Sequence, residues 1–91
     1  MFTWDEEKNR RNIIKHGVDF AAALPLFALP EALVTEDRRK DYGEPRFILI
    51  CPYEGVHLHI TFTRRDEFIR LISARRANKR ERRSYEQQKH N

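Results

Sequence analysis

Ninety-one residues with a formal net charge of +4 bound a single domain, residues 1–91, built around one modest core. The lone cysteine, Cys51, excludes an internal disulfide and a cysteine-only metal site. No apolar run approaches the roughly 18 residues of a membrane span and no leader pattern opens the chain, so the expectation is a cytoplasmic protein. Charge is unevenly placed: residues 64–91 carry ten Lys/Arg against four Asp/Glu, whereas residues 1–63 carry eight against ten. Eight of those ten C-terminal basic residues are arginine, whose planar fork matches phosphate, and such an end points to a polyanion or an acidic protein as partner.

In chain order, Thr3 and Glu6 have the spacing of a capping box, and a helix is predicted over 5–15. Lys15 and His16 suit its C-terminus and Gly17 its left-handed cap, with Trp4, Ile13 and Ile14 as the apolar stripe. Asp19 caps a second helix starting at Phe20, which Pro25 should kink or shorten and Pro30 end. Strands are predicted at 32–36, at 46–53 ("RFILICPY", apolar on both faces) and at 56–63 ("VHLHITFT"). In the last, Val56, Leu58, Ile60 and Phe62 share one face and His57, His59, Thr61 and Thr63 the other.

A hairpin tip at Arg65-Asp66 would pair Phe62 with Ile69 and Ile60 with Leu71. Arg70 then falls beside Thr61, while Ser73 and Arg75 fall on the apolar side. Beyond Ala77 helix formers continue with almost no apolar face, since only Ala77 and Tyr85 are available to dock. A helix polar all round should fray or wait for a partner. The expected class is α+β: two N-terminal helices packed on one face of an antiparallel sheet of about four strands, the other face free, plus a basic C-terminal helix.

Metal binding by His57-x-His59 is unsupported, since no acid shares that strand face, and no cofactor or metal is expected. Cys51 in an apolar strand reads as core, and no phosphate-cradling glycine loop is present. What remains is cleavage of RNA, which brings its own nucleophile, the 2′-hydroxyl. Arg70 is placed to hold a phosphate, with Arg75 and Arg76 flanking it and Arg65 at the tip either reaching the same groove or facing water. His59 or His57 would move protons near neutral pH. Each assignment has a plainer counterpart: Arg75 pairing with an N-terminal acid such as Asp5, Arg76 pointing outward, His16 serving as a helix C-cap. His57, Lys79 and Arg80 are the candidate RNA-binding residues around the catalytic set Arg65, Arg70, Arg75, Arg76 and His59.

The strings "FTWDEEKNRRNIIKHGVDF", "YGEPR" and "TFTRRDEFIRLISARRANKRERRSYE" resemble the BrnT family of bacterial toxins, over most of the chain. The resemblance implies a RelE-like fold and a ribonuclease that blocks translation, and together with the residue reading the expectation is a metal-independent endoribonuclease. It also implies a cognate BrnA antitoxin with a ribbon-helix-helix DNA-binding domain, through which alone DNA is bound. Arginines are implicated in toxicity in that family, which by motif falls on Arg65, Arg70, Arg75 and Arg76. Where the family's second helix commonly ends FxDP, this chain has "FALP" at 27–30. The rival readings are a nucleic-acid-binding module without catalysis, and a protein-interaction module whose basic helix docks an acidic partner.

Overall fold

The computed structural model describes residues 1–90. A five-stranded sheet has the order β1-β5-β4-β3-β2, with β1 Phe2–Thr3, β2 Leu33–Asp37, β3 Arg46–Tyr53, β4 Val56–Arg65 and β5 Phe68–Arg76. Strands β2 to β5 are antiparallel neighbours and β1 runs parallel to β5, so the sheet is mixed rather than four antiparallel strands. A two-residue strand leaves no periodicity to read, which is why β1 is silent in the sequence. Helices α1 (Glu6–His16), α2 (Phe20–Ala23) and α3 (Lys79–Lys89) complete an α+β architecture.

Thr3 is taken up in β1, opposite Arg70, so it does not cap α1. Asp5 does: its carboxylate accepts from the backbone N–H groups of Glu7 and Lys8 at 2.9 and 3.1 Å. Gly17 takes the left-handed conformation (φ 72°) and closes the helix onto the Ile13 carbonyl, as its position predicts.

Of the apolar stripe anticipated for α1, only Trp4 packs on the core, edge-on to Phe20; Ile14 is 82 % exposed and Ile13 is exposed too. The buried residues are Asn9 and Asn12. Asn9 donates to Asp19 at 3.0 Å and accepts from Phe20 N–H at 2.9 Å, joining α1 to α2. Asn12 donates to the carbonyls of Val18 and Ala74 at 2.9 and 2.8 Å and accepts from the Ala74 N–H at 3.2 Å. Beyond the end of β1, the Asn12 amide therefore satisfies both backbone groups of Ala74 on the open edge of β5, as a neighbouring strand would.

Asp19 caps α2 through the Ala21 N–H. Helix α2 lasts one turn and passes into a 3₁₀ segment, Leu24–Ala28, with Pro25 in its opening turn, where the missing N–H is least costly. Phe20, Ala23 and Leu26 from these segments pack on Leu49, Cys51, Leu58, Ile60, Phe62, Leu71 and Ala74 from the sheet to form the core. Cys51 is fully buried there, as read, and burial pushes its thiol pKa up.

The β3–β4 connection turns at 54–55, with positive φ at Glu54 and Gly55, the geometry of a two-residue hairpin. The β4–β5 tip is Asp66-Glu67, one residue later than predicted. The turn needs a positive φ (55°), which Asp66 supplies more readily than Arg65 would. Arg65 thus pairs with Phe68, Thr63 with Arg70 and Phe62 with Leu71. The register then shifts: Thr61 pairs with Ser73, Ile60 with Ala74 and His59 with Arg75, leaving Ile72 as a bulge.

Helix α3 is docked, contrary to the expectation of a frayed segment, and covers the His57–His59 end of the face opposite α2. Tyr85 is buried under it, with its ring edge-on to His57 and its hydroxyl donating to the Glu31 carbonyl at 2.7 Å. Lys89 donates to the Pro30 carbonyl at 3.2 Å. The docking combines one buried ring, Tyr85, which the sequence marks as available, with hydrogen bonds and ion pairs that hydrophobic periodicity does not register.

Candidate active site

Alternation along β4 places His57, His59, Thr61 and Thr63 on the face away from the core. Across the ladder, β5 answers with Arg75 opposite His59, Ser73 opposite Thr61 and Arg70 opposite Thr63. Without the bulge at Ile72, Arg70 and Arg75 would lie on opposite faces, five positions apart in a two-residue repeat. The extra residue returns Arg75 to the side of Arg70 and His59, overturning its predicted place on the apolar side. The two arginine rows stand about 13 Å apart, with hydroxyls of Thr61 and Ser73 between them.

Arg75 is held by α3. Its two terminal nitrogens donate to Glu81 Oε1 and Oε2, each at 2.9 Å, and Nη1 also reaches the Arg76 carbonyl at 3.0 Å. Glu81, not the anticipated Asp5, is its carboxylate partner. Glu81 accepts as well from the Asn78 N–H at 2.8 Å, closing a capping box, and lies 3.3 Å from His59 Nε2. With Arg75 beside it the Glu81 carboxyl is lowered to about 2. His59 is 5 % exposed; burial, and then the Arg75 charge, hold its pKa below the usual imidazole value against the opposing pull of Glu81. Its Nδ1 is buried without a hydrogen-bond partner among the described residues. His59, Glu81, Arg39, Ile48 and Ile50 line a cavity of about 190 Å³ beneath α3.

Arg65 extends over the same face but bonds Glu44 through Nε and Nη2 at 3.2 and 3.4 Å. Arg70 is half-buried and no carboxylate lies within 4 Å of it among the described residues. Arg76 is the outlier. It pairs with Leu58, on the core side, and borders a separate cleft with His16, Val18 and Asp19, so the structure does not bring it to the other arginines. His57 approaches Glu86 at 3.3 Å and shares a groove with Lys79, Arg82 and Arg83 along α3. Arg80, also on α3, is exposed outside that groove.

Sequence reasoning overlooked Glu81, although Asn78-x-x-Glu81 carries the capping-box spacing in the midst of the arginine run. It also overlooked Arg46. That residue opens β3 on this same face and stacks on the Tyr42 ring at 4.2 Å.

A basic face on a small α+β domain, with hydroxyls and a buried imidazole between its arginines, is the surface of a protein that handles nucleic acid. The family model for the ribonuclease toxin BrnT of type II toxin–antitoxin systems matches residues 4–81, and the chain belongs to that family. It is a ribonuclease toxin whose partners are an RNA substrate and a protein antitoxin. No curated protein matches the chain. No helix among the described residues is long and apolar enough to cross a membrane.

Proposed function

We propose that the chain is a metal-independent endoribonuclease with a single RelE-like domain, acting in the cytoplasm and neutralised by a BrnA-like antitoxin whose ribbon-helix-helix domain binds DNA. The carrying observation is the bulge at Ile72, which sets Arg70 and Arg75 on one sheet face with His59. A phosphodiester lying over Thr61 and Ser73 is within reach of long side chains from both rows. The 2′-oxygen attacks phosphorus as it loses its proton, and the bond to the 5′-oxygen breaks. A cyclic phosphate remains on one fragment, and a 5′-hydroxyl that has gained a proton on the other. Arg70, Arg65 and Arg75 stabilise the charge that builds on the phosphoryl oxygens. The depressed pKa of His59 keeps its imidazole neutral at neutral pH; Glu81 accepts from Nε2–H and fixes the ring, which leaves Nδ1 as the nitrogen that takes the proton. Nucleophile, charge stabilisation and proton transfer all come from RNA and side chains, so the step needs no metal.

Arg65 leaves Glu44 readily, because an exposed pair of this kind is worth about 0–1 kcal/mol. Arg75 is held more firmly, and its pairing favours a second reading, in which the face binds RNA without cutting it. His57, Lys79 and Arg80 extend the RNA surface along α3 in either case. Purified protein incubated with RNA in EDTA separates the two. Scission that survives the chelator and is lost in Arg70→Ala supports catalysis, whereas tight salt-sensitive binding with intact RNA sinks it.

A further inference from the structure

At the end of the face away from α3, residues from four elements surround a pocket of about 230 Å³. Arg46 of β3, Thr63 and Arg65 of β4, Arg70 of β5, and Asp5 and Lys8 at the start of α1 line it, with Glu44 at its rim. Glu44 takes Arg65 through both oxygens, whereas Asp5 accepts from the backbone N–H groups of Glu7 and Lys8 through Oδ1 alone, and its charge also draws on Arg70. Thr63 donates its hydroxyl to the Pro45 carbonyl.

The basic groups are not matched in return. Among the described residues, no carboxylate lies within 4 Å of Lys8, Arg46 or Arg70. The Nε of Arg46 is buried with no hydrogen-bond partner, an arrangement that costs stability until an acceptor arrives. Arg46 is nonetheless held in place. It stacks on Tyr42, whose hydroxyl donates to Asp37 at 3.1 Å, and Asp37 is also gripped by Arg39 through two nitrogens at 2.9 and 3.0 Å. The Asp37 carboxyl is accordingly driven far below its ordinary value by Arg39. A guanidinium fixed by stacking, in a pocket it shares with Lys8 and Arg70, is a preorganised anion site.

We propose that Lys8 and Arg46, with Arg70 between them, hold a second phosphodiester group of the bound RNA strand, one that is not cleaved. The inference rests on the RNA reading of the face. Donors arrive from β3, β5 and α1, three directions that suit the several oxygens of a phosphate better than a planar carboxylate. Thr63, which lines the pocket, lies two residues from Thr61 on the same face of β4.

An uncleavable 2′-O-methyl oligonucleotide, titrated by fluorescence anisotropy at several salt concentrations, tests this on the full chain. Arg46→Gln is expected to weaken binding about tenfold and to reduce the salt slope by about 0.7, the step for one single-strand phosphate contact. Lys8→Gln, on an exposed helix position that leaves the core untouched, is expected to shift the slope the same way even if Arg46→Gln folds poorly. Arg10→Gln, an equal charge change on α1 outside the pocket, should leave it unaltered.

Unchanged slopes in both pocket variants overturn the assignment. So does loss of inorganic phosphate binding, or of antitoxin binding, with RNA affinity intact. If the slopes move but wild-type protein leaves ordinary RNA uncut, only the cleavage reading fails. If RNA is cut and the slopes stay fixed, only the pocket fails.

Discussion

Arg75 and Glu81 meet fork to fork where β5 passes into α3, each guanidinium nitrogen 2.9 Å from its own carboxylate oxygen. Six residues apart in sequence, they tie the last strand to the first turn of the basic helix, and the same carboxylate faces His59. One acid therefore organises an arginine, a histidine and a helix cap. Glu81→Ala should cost about 2 kcal/mol, through the lost charge-assisted bonds and the broken capping box. Urea unfolding measures the loss, and a drop in far-UV helix signal before the main transition would report α3 leaving the sheet.

Stability should depend on pH through the same residue. The Glu81 carboxyl is lowered from 4.5 to about 2 in the folded chain, so its contribution is complete above about pH 4.5 and is lost as pH falls toward 2. At about 1.4 kcal/mol per unit, discounted for solvent screening, the amount is on the order of 2 kcal/mol, as for removing the side chain. His59 acts in the same direction at higher pH. Its depressed pKa means that the unfolded chain takes up the proton first, so stability declines as pH drops below about 6.5. Urea midpoints measured from pH 7 to 2.5 should show both declines. Glu81→Gln should flatten the acid one; an unaltered acid decline would assign it elsewhere, Asp37 being the first candidate.

Arg70→Ala and Arg76→Ala should differ although the side chains are alike. Arg70 stands on the face of His59 with no carboxylate within 4 Å among the described residues, and its removal should slow cleavage about 10²–10³-fold with little change in the urea midpoint. Arg76 lies toward His16 on the other side, and its removal should change the rate less than about threefold. Equal losses in single-turnover cleavage assays would contradict the division of the two faces.

Asn12→Ala should destabilise the fold by about 2–4 kcal/mol, for it strips both backbone partners from the fully buried Ala74. Asn12→Asp should do no better, because a carboxylate would face the Val18 and Ala74 carbonyls that now accept from the amide. Thermal denaturation of the two variants beside wild type checks this.

Much of the architecture is legible along the chain. The Gly17 cap, the Asp19 cap, the strand "RFILICPY" over Arg46–Tyr53 and the turn after it all stand where local patterns put them. Those signals are short-range: a positive φ, a carboxylate near free N–H groups, a run of apolar residues. The candidate site was legible as a composition of arginines and histidines, and the shared face of His59 and Arg70 followed from alternation. The place of Arg75 was not, since a single bulge reverses the parity of every residue after it and no residue type announces one.

By itself, then, the sequence determined the α+β class, the apolar face of β4 and the basic character of the C-terminal third, because periodicity and charge are properties of neighbouring residues. Only the tertiary structure decided that Glu81 joins Tyr85 in docking α3, that Asn12 completes the edge of β5, and that Arg46 joins Arg70 from the far side of β4. Each of these depends on polar groups brought together from distant segments, where the cost of leaving a buried donor or acceptor unpaired selects the partner.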